Sequence, residues 1–226
     1  RAYQGIVGIN LGANKNSTDR IKDYTKVLQC CGPFVDFATI NVSSPNTENL
    51  RDFQEKNSLE NLVYQVLDCR YNLKNKIPIF LKIAPDLSLK QIDDIAEIAL
   101  KMDIDAIVAT NTTTDRQGIK SKLKNEKGGL SGKPLFAKST WVLAHLSERL
   151  NNKVALIGVG GISSAIDAYQ KLLAGATVVQ LYTGLVYNGL GLVSEINKGL
   201  NTILTKYGVN HVSQIVGKER RNYLKI

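Results

Sequence analysis

Apolar positions along the chain recur in two rhythms. Short runs that are apolar nearly throughout fall at residues 5–12, 34–42, 77–84, 105–112, 154–161 and 176–185. The stretch Ile104-Asp105-Ala106-Ile107-Val108-Ala109 shows the type, with no alternation of period two and so no face reserved for water. Parallel strands buried on both faces carry this pattern, whereas half-exposed antiparallel strands alternate. Between the runs, apolar residues return every three or four positions, the spacing of a helix with one buried face. At 89–102, Ile92, Ile95, Ala96 and Ile98 make one stripe and Asp93, Asp94 and Lys101 the opposite face. Ser88 and Gln91 are spaced there as a capping box. Leu59, Leu62, Val63, Val66 and Leu67 repeat the spacing after Ser58, and residues 164–174 do so again before Gly175. Further helices are predicted after Ser17, at 139–150 and over Leu192–Lys206.

Strand and helix thus alternate six times, the order of parallel α/β proteins. The chemistry at strand ends separates a closed barrel from an open doubly wound sheet, because a barrel gathers functional groups at the C-terminal end of nearly every strand. The runs end in turn on Asn10, on Asn41 and Ser44, on Lys82, on Asn111 and Thr112, on Gly160-Gly161, and on Tyr182-Thr183. The expected fold is therefore a (β/α)8 TIM-type barrel. Eight units commonly take about 250 residues, so six units in 226 residues predict a single partial barrel domain, 1–226, holding strands three to eight. The chain opens Arg1-Ala2-Tyr3-Gln4, without Met, and its first residue is not expected to be the natural start.

Composition narrows the function classes. Hydrophobic residues at 43% and charged residues at 22% are globular values. No apolar run approaches the ~20 residues of a membrane-spanning helix. Cys30, Cys31 and Cys69 lack C-x-x-C spacing and read as reduced packing residues, with no metal site expected. The net charge of +9 is scattered, and no aromatic-interleaved basic motif accompanies it, so no nucleic-acid partner is expected. His145 and His211 stand apart from each other and assemble no triad.

Three segments carry candidate chemistry. Asn41-Val42-Ser43-Ser44-Pro45-Asn46-Thr47 concentrates amides and hydroxyls after a strand, either an Asx/ST turn or a reader of a planar polar ligand. Lys82 is flanked by apolar strand residues. It points into the barrel mouth as a fixed cation or, with a lowered pKa, forms a Schiff base as an aldolase does. Gly158-Val159-Gly160-Gly161, followed by Ser163-Ser164 and a helix, is a simple turn or a phosphate cradle; its place on the next-to-last strand matches the barrel phosphate site. Gly128-Gly129-Leu130-Ser131-Gly132-Lys133-Pro134, in a long connection, is not a Walker motif.

Taken together, these motifs resemble the dihydroorotate dehydrogenases, flavin-dependent barrels of pyrimidine biosynthesis. The resemblance covers residues 5–218 and rests on Gly8-Ile9-Asn10-Leu11-Gly12, residues 41–46, Lys82-Ile83-Ala84-Pro85-Asp86-Leu87, Thr110-Asn111-Thr112-Thr113, and residues 128–134, 157–161 and 180–183. It implies FMN held by Asn10, Asn41, Lys82, Thr110, Gly132, Gly160, Gly161, Tyr182 and Thr183. It also implies dihydroorotate and orotate bound by Asn41, Asn46, Asn111 and Thr112. Ser44 is then the base that takes a proton from C5 while hydride leaves C6 for the flavin, Thr47 a candidate relay, and Lys82 the cation favouring the reduced ring. Serine rather than cysteine at position 44 implies the family's second class, which is membrane-associated and re-oxidised by a ubiquinone-type quinone. That class is expected at the mitochondrial inner membrane or, alternatively, a bacterial inner membrane. The membrane-binding segment with its quinone-tunnel helices, and the first barrel strands, are expected to lie outside this chain. Two rival readings are an aldolase using Lys82 and an inactive barrel fragment serving as a binding partner.

Overall fold

The structure is a computed structural model that describes residues 5–47 and 49–225. The opening Arg1-Ala2-Tyr3-Gln4, and with it the expectation about the natural start, lies outside the described residues. Six strands form one sheet: β1 Gly8–Leu11, β2 Phe37–Asn41, β3 Ile79–Ile83, β4 Ala106–Ala109, β5 Ala155–Val159 and β6 Val178–Gln180. Neighbours in space are neighbours in sequence, and all five pairings are parallel. Helices α1 Arg20–Cys31, α2 Lys56–Tyr71, α3 Leu89–Lys101, α4 Phe136–Leu150 and α5 Ala165–Ala174 make the crossovers, and α6 Thr183–Asn188 and α7 Leu192–Lys206 follow β6. These are six consecutive βα units of the barrel architecture.

The pairing register sorts each strand into two faces. Ile79, Leu81 and Ile83, with Ile40, Ile107, Ala109 and Leu156, join the main core, where Ile92, Ile95, Ile98, Val142 and Leu146 of the helices meet them. Each fully buried side chain of this size contributes about 1.5–3 kcal/mol. On the other face, Ala106, Val108 and Ile157 make a separate small cluster against which Phe80 and Val159 pack. The same register sets Asn41 beside Lys82, Lys82 beside Val108, and Val159 beside Gln180. Lys82 therefore belongs to the inner face. Only β4 is buried at every position; β3 alternates between buried helix-facing residues and half-buried Phe80 and Lys82, so its periodicity is that of a strand with one partly open face. Between β2 and β3 the rings of Phe37 and Phe80 stack at 4.8 Å, and on the edge strand β1 a Cβ on Gly8 would collide with the Phe37 ring.

The local signals set the helix starts. The capping box of α3 forms in both directions: Gln91 N donates to Ser88 Oγ, and Ser88 N donates to the Gln91 side chain. Ser164 caps α5, and Asp19, unrecognised in the pattern, caps α1. Helix α4 starts three residues before the apolar stripe, because Pro134 opens a 3-10 turn at Lys133–Leu135 that runs straight into it. The strands are shorter than their apolar runs; Tyr182-Thr183 lies at the mouth of α6 and not on a strand. His145 packs on Trp141 and bonds Arg149, and His211 caps a short turn. All three cysteines are free, and among the described residues no His/Cys/Asp/Glu group is placed to hold a metal. No described helix is long and apolar enough to cross a membrane.

Candidate active site

The C-terminal ends of β3 to β6 converge on a pocket of about 250 Å³. Its wall includes Lys82, Thr110, Asn111, Thr112, Gly132, Gly160, Gly161, Tyr182 and Thr183, so seven of the nine proposed flavin residues and two of the four proposed substrate residues meet there. Asn41 is outside this wall but sits beside Lys82 in register, and Asn10 is exposed on β1, two strands from Lys82.

One end of the pocket is built from backbone. Gly160 and Gly161 hold φ of +123° and +75°, and a Cβ on Gly161 would stand 2.6 Å from Phe136 Cβ and 2.8 Å from its Cα. Glycine is required there because the turn presses against the first residue of α4. The start of α6 packs on the same turn, since a Cβ on Gly184 would meet the Ile162 carbonyl at 2.6 Å. Among the described residues, the N–H groups of Gly161, Ile162, Thr183 and Gly184 have no acceptor. Four unpaired backbone donors around one concavity suit an anion with several acceptor oxygens. Tyr182 is 79% exposed, so its ring adds little enclosure. The Thr183 hydroxyl bonds Ser131 at 2.9 Å and ties the 128–134 loop to this end.

Lys82 lines the pocket, half-buried, and burial alone lowers its pKa; no carboxylate offsets it. Beside it lies a polar network centred on Ser43. The Ser43 hydroxyl is fully buried, 2.8 Å from the Lys82 carbonyl and 3.0 Å from Asn41 Oδ1, and accepts from Asn111 Nδ2 at 3.1 Å. Asn41 Oδ1 also accepts from Ser43 N and Asn111 Nδ2. Its carbonyl is thus committed to the network, while the Asn41 Nδ2 group donates to none of the described residues. Asn111 spends both Nδ2 protons inside the network, and its Oδ1 accepts from Thr112 N at 2.8 Å and from Thr112 Oγ1 at 3.5 Å.

Ser44 and Asn46 stand at the rim, where Asn46 N donates to Ser44 Oγ at 3.3 Å. Ser44 and Thr47 make no hydrogen bond with each other; the Thr47 carbonyl accepts from Leu50 N. The Gly128-Gly129 segment crosses close over this rim: a Cβ on Gly129 would overlap the Thr112 side chain, and one on Gly128 would lie 3.4 Å from Asn46 Oδ1. Arg51 fastens the rim from outside. Its guanidinium donates to the Ser43 carbonyl at 3.2 Å, Asp86 Oδ2 at 2.9 Å and the Thr112 carbonyl at 3.0 Å, joining the loops after β2, β3 and β4. Burial would push the Asp86 carboxyl up, but hydrogen bonds from Lys138, Thr113, Thr114 and Arg51 outweigh it and hold the pKa down to about 2.

Reading the sequence for the site missed Ser43, Arg51 and the role of Asp86. Ser43 lies inside the Asn41–Thr47 segment, and its one distinguishing signal was the in-phase strand position next to Asn41. Arg51 and Asp86 are 35 residues apart and carried no signal of pairing.

The family model described as "Dihydroorotate dehydrogenase" matches residues 1–204. A "Dihydroorotate dehydrogenase (quinone)" from Cereibacter sphaeroides is 52% identical over 218 residues, covering 96% of this chain and 62% of that protein. One from Parvibaculum lavamentivorans is 46% identical over 220 residues, covering 97% and 62%. Among solved structures, the Eimeria tenella DHODH in complex with ferulenol superimposes with a TM-score of 0.91 at 33% identity, covering 96% of this chain and 62% of its own. The ligand-free form gives 0.92 at 33% identity, covering 98% and 66%. The chain spans about three fifths of the length of the curated relatives it matches. Those two relatives are bacterial and lend the mitochondrial expectation no support.

Proposed function

Because the chain belongs to the dihydroorotate dehydrogenase family, we propose that it supplies the greater part of the catalytic barrel of a quinone-dependent enzyme that oxidises dihydroorotate to orotate. FMN is its cofactor, a membrane quinone its second substrate, and pyrimidine synthesis its role. The observation that carries this reading is the set of four unpaired N–H groups in the wall of a pocket that the half-buried Lys82 also lines. The residues fit FMN: the donors suit a phosphate, Gly160 and Gly161 let the turn that carries them pack directly against Ser139 and Phe136, and Lys82 lines the same pocket. When bound, the flavin would accept the hydride that leaves C6 of dihydroorotate.

The chain's own side chains supply the rest. Asn41 Nδ2 and the exposed Asn46 amide donate to the oxygens of the pyrimidine ring and its carboxylate, while Asn111 keeps Asn41 oriented and Thr112 closes the wall. Ser44 takes the C5 proton. Its Oγ is held by a backbone N–H and not by a histidine or carboxylate, so its own proton leaves through water. Lys82 offers a positive charge, undiminished by any carboxylate, where negative charge develops on reduction. The aldolase reading draws on the lowered pKa of Lys82 alone, and family membership does not favour it.

The test is the anaerobic visible spectrum of the intact protein before and after dihydroorotate is added. Bleaching of a bound flavin band supports the reading. A protein that holds no flavin, or flavin that dihydroorotate leaves oxidised, overturns it and favours the inactive-fragment alternative.

A further inference from the structure

Beneath the Gly160-Gly161 turn lies a group that the proposed reaction does not use. Lys171, on α5, is wholly buried, an environment lysine rarely occupies without a carboxylate. Its ammonium donates to Ser139 Oγ at 2.6 Å, approaches the Phe136 carbonyl at 3.5 Å and lies 4.8 Å from the centre of the Phe136 ring. Ser139 Oγ lies 3.2 Å from the Gly160 carbonyl and 3.1 Å from the Phe136 carbonyl. Because Lys171 donates to the serine, the one hydroxyl proton is free to go to a carbonyl. The approach is tight, since a Cβ on Gly160 would stand 2.6 Å from Ser139 Oγ.

We infer that Lys171 is a positioning residue for the anion-binding turn: through Ser139 it holds the Gly160 carbonyl toward α4 and so aims the Gly161 N–H into the pocket. The physical reason is the planarity of the peptide. In a trans unit the C=O and the following N–H point in opposite directions, and the Gly160–Gly161 bond is trans. Anchoring the carbonyl on one side therefore fixes the donor on the other. Two glycines at positive φ would otherwise let this peptide rotate. The inference rests on the reading of this turn as the seat of the FMN phosphate.

The surroundings agree with a role in geometry and not in ion pairing. Helix α4 presents to Lys171 the Ser139 hydroxyl and the Phe136 ring and carbonyl, and β5 presents Gly158. Burial pulls the Lys171 pKa down to about 7, against the raising effect of Asp167 on α5 itself. Ammonium and amine both donate, so the link to Ser139 survives either state. A buried amine of this kind costs folding energy that an apolar side chain of similar length would avoid, so stability alone does not call for it.

The test compares equilibrium binding of FMN and of riboflavin, which differ by the phosphate, to the intact protein freed of flavin. The variants are Lys171→Met and Ser139→Ala, the second removing a single oxygen and serving if the first does not fold. Wild type is expected to prefer FMN, and both variants to lose about tenfold of that preference, the worth of a well-directed hydrogen bond, with riboflavin affinity unchanged. A preference that persists in full in the variants overturns the inference, as does an equal loss for both flavins, which would assign Lys171 to the fold alone. A wild type without preference for FMN overturns the phosphate reading of the turn, and the inference with it.

Discussion

Replacing Gly161 by alanine would test the packing of the anion-binding turn against α4. Alanine at φ of +75° costs about 1–2 kcal/mol in backbone conformation. The added methyl would also meet Phe136 Cβ at 2.6 Å, Cα at 2.8 Å and N at 2.9 Å. Two of these atoms belong to the backbone at the start of α4 and cannot rotate away, so overpacking adds about 1–3 kcal/mol. The sum, about 2–5 kcal/mol, is a large share of the ~5–15 kcal/mol that holds a domain folded. Gly118 provides the matched control: its φ is +78°, and nothing lies within 4 Å of where a methyl would stand, so Gly118→Ala carries the conformational cost alone. Gly12→Ala carries neither cost, the nearest atom being Asn10 Nδ2 at 3.9 Å. Urea unfolding of the intact protein, followed by circular dichroism, should rank stability as Gly12→Ala above Gly118→Ala above Gly161→Ala. The last gap should be about 1–3 kcal/mol, with flavin retention lost in Gly161→Ala only. Equal stability of Gly118→Ala and Gly161→Ala would refute the packing argument.

Three further expectations follow from the site. The Asp86 carboxyl is held down to about 2 from an ordinary 3.8, so its stabilisation is complete above about pH 4 and is lost as pH falls toward 2; Asp86→Asn should cost about 1–2 kcal/mol at neutral pH and flatten that acid limb in a pH series of unfolding curves. Ser44→Ala should keep bound FMN yet abolish its reduction by dihydroorotate at neutral pH in stopped-flow absorbance; wild-type reduction would remove Ser44 from the base role. Lys82→Ala should lower the flavin content of the purified protein, read from its absorbance ratio, and an unchanged content with unchanged reduction would take Lys82 out of the site.

How far the sequence carries depends on the range of the forces involved. Strand order and helix faces are written locally: Ile92, Ile95 and Ile98 must share a face at helical spacing, Ser88 and Gln91 are close enough to cap one another, and the run around Val108 has no polar phase to expose. The same local logic placed Asn41, Lys82, Asn111 and Gly161 at strand ends, because a parallel sheet with helical crossovers turns every strand end toward one rim. The six strands observed follow that order, each shorter than its run where a turn takes over, as at Leu181-Tyr182. By itself, then, the sequence determined the alternation, the barrel rim and the residue types on it. Only the tertiary structure decided which of those residues work together. Ser43 became the buried hub because the β2–β3 register sets Asn41 beside Lys82; Arg51 found Asp86 across 35 residues, and Lys171 found Ser139 across 32. Each of these contacts joins groups whose local sequence reads as ordinary water-facing positions, and burial and strand register, which act across the whole chain, made them a site.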